Sequence, residues 1–484
     1  MKNALLIFAF LSFYLSSVHA SVEIRSNKLT TGDGLANNSI RYMFQDSKGF
    51  MWMGTVNGLS YYDGNSFVSI YPDPNLPISL ADPRIRNMEE DSNGFLWIAT
   101  LSSLYSCYDL KHGRFVDFTG CGEYKQSYSK KIIASDQSIW LWDNNNGCRR
   151  VVYQDGQFSS QAYKKELGNL SSDEVLFVYE SNDSPGHVWI GTKQGLWKYH
   201  DGKLEAMDTQ GESWEHIFSY DQYTCIITGK KEIYRHSLSN NRLEKIASLT
   251  ELGDTGVITG SLRLQHQWVM FTATGSYILD PVTGKLRQFS RLNIKNGNVT
   301  RDNKGNAWVH NYTGNVWYVN TSTGDIKHFQ FLSSEHLGYI DVERYSVIHD
   351  SRDIIWITTY GNGLFAYDLN TGDLQHFTFE VSHSSHINSN YLQYIIEDRS
   401  GGIWVSSEFS GLSHLEILNK GTLRIYPNGE DASDRSNTIR MLLRGKNGNV
   451  YMANRMGTLY EYDADLKNIL RREKFTHNVY SMCE

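Results

Sequence analysis

The sequence predicts an all-β fold, a β-propeller of four-stranded antiparallel blades, with one seven-bladed propeller followed by an incomplete second propeller. Three observations carry this reading. One phrase recurs along the 484 residues with a spacing of about 40–50, the period of a four-stranded blade. A tryptophan marks the same slot in eight copies: Trp52, Trp97, Trp140, Trp189, Trp268, Trp308, Trp356 and Trp404, with Tyr451 in the equivalent place of a further copy. Composition agrees, since aromatics make up 13% of the chain and Pro numbers only 7.

Each copy divides into the same parts. In residues 40–64, IRYMFQDSKGFMWMGTVNGLSYYDG, an apolar strand (YMFQ) comes first. The turn DSKG follows, where Gly takes φ > 0 at no steric cost. A strand centred on Trp (MWMGT) leads through a second turn (VNG) to a strand with paired aromatics (LSYYD). An Asp-Gly turn then starts a last strand, NSFVSIY. Strong copies lie at 85–109, 175–202, 299–324, 345–372, 392–416 and 439–463; weaker ones lie at 132–156, 223–238 and 266–284. Short strands joined by hairpins make an antiparallel meander. One meander buries a single face, so the meanders must stack, and the marker indoles are expected to fill the wedges between them. A buried indole removes about 150–250 Å² from water, worth roughly 4–6 kcal/mol.

The two ends of the chain are unlike the repeats. Lys2, the apolar run ALLIFAFLSFYL and the small residues Val18 and Ala20 read as a secretory signal peptide at 1–20, cleaved after Ala20. No later run is long enough to form a transmembrane helix in the mature chain. Residues 22–335 are assigned to the seven-bladed propeller, and 336–484 to a partial second one of three blades and the first strand of a fourth. The last residues, VYSMCE, align with IRYMFQ, so the chain is read as an N-terminal fragment. The segment VEIRSNKL precedes the first full repeat and is expected to close a ring as an outer strand, without indicating which ring.

Several function classes are disfavoured. A net charge of −7 argues against a nucleic-acid partner. The five cysteines, Cys107, Cys121, Cys148, Cys225 and Cys483, are odd in number and lack CxxC spacing. Neither a zinc site nor a disulfide framework is indicated; Cys107 and Cys121 could pair, but buried thiols are the simpler reading. His383 and His386 have metal-like spacing but too few companions, so no metal is assigned. No cofactor motif and none of the nucleophile or metalloprotease motifs occurs, and the acids Glu89, Glu90 and Asp91 read as a solvated turn.

The repeat D-x-x-G-x-[IVLM]-W-[IVM]-[GAST]-T-x-x-G-L-x-x-[YF]-D and the lead-in LTTGDGLANNSI at residues 29–40 resemble the two-component regulator propeller repeat family. The resemblance implies the periplasmic sensor region of a hybrid two-component sensor histidine kinase. In that family two seven-bladed propellers precede an immunoglobulin-like domain, a transmembrane helix anchored in the inner membrane, a kinase, a receiver and a DNA-binding domain. For this chain it implies no catalysis. For the intact parent it implies recognition of an oligosaccharide from polysaccharide breakdown, a homodimer, and control of a phosphorelay and transcription.

The expected ligand surface lies where blade-to-blade loops and loops between second and third strands gather. Aromatic platforms beside planar polar groups suit sugars. The blade-to-blade loops offer Trp214 and His216; Tyr339, Arg344 and Tyr345; and His386, Asn390 and Tyr391. Two other classes compete: a secreted propeller enzyme acting on polysaccharide, of lyase type, and a protein-interaction scaffold. A dehydrogenase-type A-x-D-x-x-x-G-x-x-x-W pattern is absent, and only LWDN at 141–144 carries the Trp-Asp pair of a WD repeat.

Overall fold

The structure is a computed structural model that describes residues 24–119, 128–181, 184–208, 213–229, 232–240, 242–254, 258–295, 297–302, 304–310, 315–330, 346–380, 386–417, 425, 427, 428, 435–464, 466, 468–477 and 479–481. Signal-peptide residues 1–20, the 335/336 boundary and the end at Met482–Glu484 lie outside them, as do Cys121, Cys483 and His383. The described residues form β-strands and short 3-10 turns, and the strands pair into ten four-stranded antiparallel sheets. Two compact units result, Met1–Ile417 with nine sheets and Leu418–Glu484 with one.

The first sheet shows how sequence dictates a blade. Its strands are Ile40–Gln45, Met51–Thr55, Leu59–Tyr62 and Phe67–Ile70, paired in simple order. The second strand is buried at every position because neighbouring sheets cover both its faces. The turn before it is held by one side chain. Asp46 accepts from the Phe50 backbone N–H at 2.9 Å and from the Trp52 indole N–H at 2.8 Å. The same clasp joins Asp91 to Trp97, Asp350 to Trp356 and Asp398 to Trp404, at 2.9, 3.0 and 2.7 Å. A carboxylate six residues ahead of the indole thus fixes the hairpin turn and satisfies a buried donor together. Burial alone would raise the Asp398 carboxyl; hydrogen bonds from His414, Ser400, Trp404 and Gly402 outweigh it and hold the group well below the carboxylate range.

Sheets pack through apolar wedges. All eight marker tryptophans sit on second strands and are at most 5% exposed. Nine clusters link successive sheets, first to second through eighth to ninth, and one of them joins the ninth back to the first. That last cluster holds Ile40, Met43 and Met53 against Trp404 and Leu412. Close approach is built in at Gly54, where a Cβ would lie 2.5 Å from the Ile85 side chain of the second sheet.

The lead-in strand settles where the chain closes this cycle. Ile24–Leu29 pairs antiparallel with Leu412–Ile417 as the outermost strand of the ninth sheet, whose other strands are Ile403–Ser407 and Leu392–Glu397. The series of interfaces therefore continues through the eighth and ninth sheets, beyond the seven blades expected at 22–335. The second unit has strands Ile439–Arg444, Val450–Asn454, Thr458–Tyr462 and Ile469–Lys474 around Val450, Met452, Tyr460 and Tyr462.

Candidate functional site

The loop ends that join one sheet to the next carry most of the residues picked out from the sequence. Around the eighth and ninth sheets they form a polar-aromatic surface. Tyr360 lies in the loop between Ile354–Thr358 and Leu364–Asp368, and Tyr391 directly precedes Leu392–Glu397. The two form an isolated backbone bridge, with ring centroids 5.2 Å apart and edge to face. Tyr391 is 43% exposed. Asn390 sets the loop beneath it. Its Oδ1 accepts from Phe379 N–H at 2.7 Å, its Nδ2 donates to the Phe379 carbonyl, and its own carbonyl accepts from Gly361 and Gly363. Asn390 is therefore a brace that positions Tyr391.

The loop of the ninth sheet completes this surface. Glu408 donates its backbone N–H to the Tyr391 carbonyl at 2.9 Å, and Phe409, next in the chain, is 71% exposed. The Glu408 carboxylate is buried and pairs with Arg41 of the first sheet at 3.3 Å. Exposed aromatic faces beside a guanidinium–carboxylate pair suit a polyhydroxylated ligand, which offers C–H faces to rings and hydroxyls to charges. His386 is also exposed; its ring packs edge-on to Phe377 at 5.9 Å.

The other sequence candidates divide. His216 lines a cavity of about 420 Å³ between the third, fourth and fifth sheets, with Lys130, Leu176, Tyr179 and Glu215. Burial lowers the His216 imidazole below its ordinary value, so it is uncharged at neutral pH. Burial, followed by the nearby Arg86 charge, lowers Lys130 as well, and its amine donates to the Leu176 carbonyl. Trp214 is not a surface residue: it is 1% exposed and packs with Trp189, Cys225 and Ile227. The fifth sheet has no tryptophan in its second strand, Thr224–Gly229; Trp214, on its first strand, joins Trp189 in the wedge between the fourth and fifth sheets, and Trp268 of the sixth sheet occupies the wedge between the fifth and sixth. Tyr339, Arg344 and Tyr345 lie outside the described residues.

The acidic run has structural partners. Glu89 pairs with Lys131, Glu90 accepts from Ser47, and Asp91 clasps Trp97. Cys107 and Cys148 are buried free thiols, and Cys225 is buried as well. Among the described residues no group of three or more His, Cys, Asp or Glu is arranged to hold a metal, and no helix is long and apolar enough to cross a membrane.

Comparison with known proteins bears on the repeat itself. Residues 34–57 and 79–102 match the family model described as two component regulator propeller. At these two segments the chain matches the two component regulator propeller repeat. Both matched segments contain the Asp–Trp clasp, at Asp46–Trp52 and at Asp91–Trp97. No curated protein matches the chain. Solved structures similar to this chain include two from B. thetaiotaomicron. One is an extracellular domain attributed to the hybrid two component system BT3049, 16% identical, with 93% of this chain and 67% of that chain covered and a TM-score of 0.36. The other is an extracellular domain attributed to the hybrid two component system BT4673, 16% identical, with 92% and 59% covered and a TM-score of 0.38. BamB from Moraxella catarrhalis is 12% identical, with 81% and 98% covered and a TM-score of 0.42. The chain thus spans between 59% and 67% of the two extracellular domains.

Sequence reasoning missed Tyr360, Phe409, Arg41 and Glu408. The signal was present for two of them. Tyr360 and Phe409 follow the marker tryptophans Trp356 and Trp404 in the loop between second and third strands, a position with no core duty. Arg41 and Glu408 meet only because the ninth sheet abuts the first.

Proposed function

We propose that this chain is the ligand-sensing region of a hybrid two-component sensor and that its ligand is an oligosaccharide released by polysaccharide breakdown. The observation that supports this most is the surface of Tyr391, Tyr360 and Phe409 beside the Arg41–Glu408 pair, in a chain of regulator propeller repeats. The region works outside the cytoplasm, after export by the signal peptide at 1–20, with the parent held in the inner membrane. Binding would favour one arrangement of a parent homodimer, and the signal passes to the kinase only through a difference in affinity between two states. The chain binds and turns nothing over. A glycan-binding screen, coupled to a cleavage assay on every sugar that binds, tests this. Saturable binding with the sugar recovered intact supports sensing. Turnover would move the chain to the polysaccharide-lyase class, and no binding to any sugar would leave the interaction scaffold.

A further inference from the structure

The opposite strand ends, which carry the turns between first and second and between third and fourth strands, open into three cavities of different charge. The one between the ninth and first sheets, about 660 Å³, is lined by Asp63, Asp398 and Glu416 as well as Arg399. The one between the second and third, about 520 Å³, is lined by Asp109 and Asp117 beside Arg114. The third, also about 520 Å³, lies between the sixth and seventh sheets. Among the described residues its lining is Arg263, Gln265, His266, Arg301, Thr321 and Ser322, with no carboxylate.

This third cavity is held in shape from both sides. Gln265 donates its backbone N–H to the Thr321 carbonyl at 2.7 Å and its side-chain amide to the Thr323 carbonyl at 3.0 Å, which ties the hairpin turn of one sheet to a turn of the next. Arg263 donates Nε to the Gln265 carbonyl and lies 5.6 Å from the Tyr220 ring, so its stem is fixed. Arg301 is exposed at the end of Asn298–Arg301 and makes no hydrogen bond or ion pair among the described residues. Two guanidiniums thus face one polar cavity with no counter-charge among the described residues of its walls, in a chain whose net charge is −7.

We propose that the cavity between the sixth and seventh sheets is an oxyanion site that takes the sulfate or carboxylate group of a saccharide. Guanidinium forks match the paired oxygens of either group, and the Ser322 hydroxyl supplies an uncharged donor at the same mouth, where Thr321 is held by donating its hydroxyl to the Gly305 carbonyl. The inference rests on the saccharide reading for the carrier of the anion, and on the cavity alone for the anion.

The test titrates the whole chain calorimetrically with a sulfated disaccharide, a uronate-bearing disaccharide, their neutral parent and inorganic sulfate. At least one charged disaccharide binds roughly tenfold more tightly than the neutral parent, and Arg263→Gln with Arg301→Gln removes the difference. The variant Arg114→Gln, which changes net charge equally per site in the cavity with acids, leaves it intact. Arg301→Gln alone, at an exposed position, provides a folded protein if the double variant is unstable, and it lowers the preference. Charged and neutral disaccharides binding equally, or a preference that survives loss of Arg301, overturns the oxyanion site while leaving saccharide sensing standing. Arg301-dependent binding of inorganic sulfate without binding of any saccharide supports the site and removes the saccharide reading. Sulfated and uronate forms differing from each other identifies which oxyanion the site takes.

Discussion

Replacing Asp46 with Ala tests whether the Asp–Trp clasp holds the blade. The Asp46 carboxylate is buried and accepts two hydrogen bonds, from Phe50 N–H at 2.9 Å and from the Trp52 indole at 2.8 Å. A hydrogen bond to a charged acceptor contributes about 1.5–3 kcal/mol, and each stranded donor retains its desolvation cost. Loss of both puts Asp46→Ala at about 3–5 kcal/mol. A sharper comparison uses the indoles. Trp52→Phe removes ring area and a bonded donor. Trp308→Phe removes similar area, but the Trp308 N–H has no acceptor although Asp302 lies six residues ahead, as Asp46 does of Trp52. Asp302 instead turns to the Asn306 side chain at 3.3 Å and lies 3.4 Å from His349 of the eighth sheet. Trp52→Phe should therefore cost about 2 kcal/mol more than Trp308→Phe. The assay is urea unfolding by tryptophan fluorescence, with midpoints compared at constant slope. Equal costs for the two substitutions, or Asp46→Ala below about 1 kcal/mol, would refute the clasp as a stabilising device.

Three further outcomes follow from local geometry. Gly54→Val drives a side chain into Ile85, already 2.5 Å from an added Cβ, and should destabilise by about 1–3 kcal/mol through overpacking; a thermal scan against Gly64→Val, whose Cβ position is open but whose φ is +99°, separates crowding from backbone strain. Burial lowers His310 to about 4 from 6.5, so the unfolded chain takes up a proton that the folded chain refuses. Stability should fall as pH drops from about 6.5 to about 4, by about 3 kcal/mol at the lower end, and His310→Gln should flatten that part of the profile of melting temperature against pH. For the proposed saccharide surface, Tyr391→Ala and Phe409→Ala should each weaken binding roughly tenfold with the melting temperature unchanged, whereas Asn390→Ala should lower both.

What the sequence disclosed was local. The hairpin in IRYMFQDSKGFMWMGT is written in its own residues: a strand, a Gly turn with Asp ahead of Trp, then a fully apolar strand. Even the weak copies at 223–238 and 266–284 fold as complete sheets, because strand length and hairpin turns are specified within each copy. Closure was hidden. Ile24 meets Ile417 across nearly the whole of the first unit, and no residue in VEIRSNKL names its partner. Trp214 was misplaced for a related reason. Its loop position suggested exposure, but it opens the strand Trp214–Asp221 and packs beside Trp189 between the fourth and fifth sheets, a contact that only the three-dimensional stack reveals. The surface around Tyr391 was half legible, since Asn390 and Tyr391 sit in a readable loop while Arg41 and Glu408 are 367 residues apart.

The central claim is that nine meanders of the first unit form one cycle fastened by the lead-in strand. A disulfide between Arg25→Cys and Glu416→Cys tests it directly, since these residues face each other in register and now form an ion pair at 3.5 Å. The account predicts that this pair oxidises spontaneously, gives a single cross-linked peptide by mass spectrometry and raises the melting temperature. A control pairs Arg25→Cys with His328→Cys on Ile326–Gln330, the outer strand of the seventh sheet. Cross-linking of the control pair in place of the first would contradict the account, because the chain would then close after seven blades.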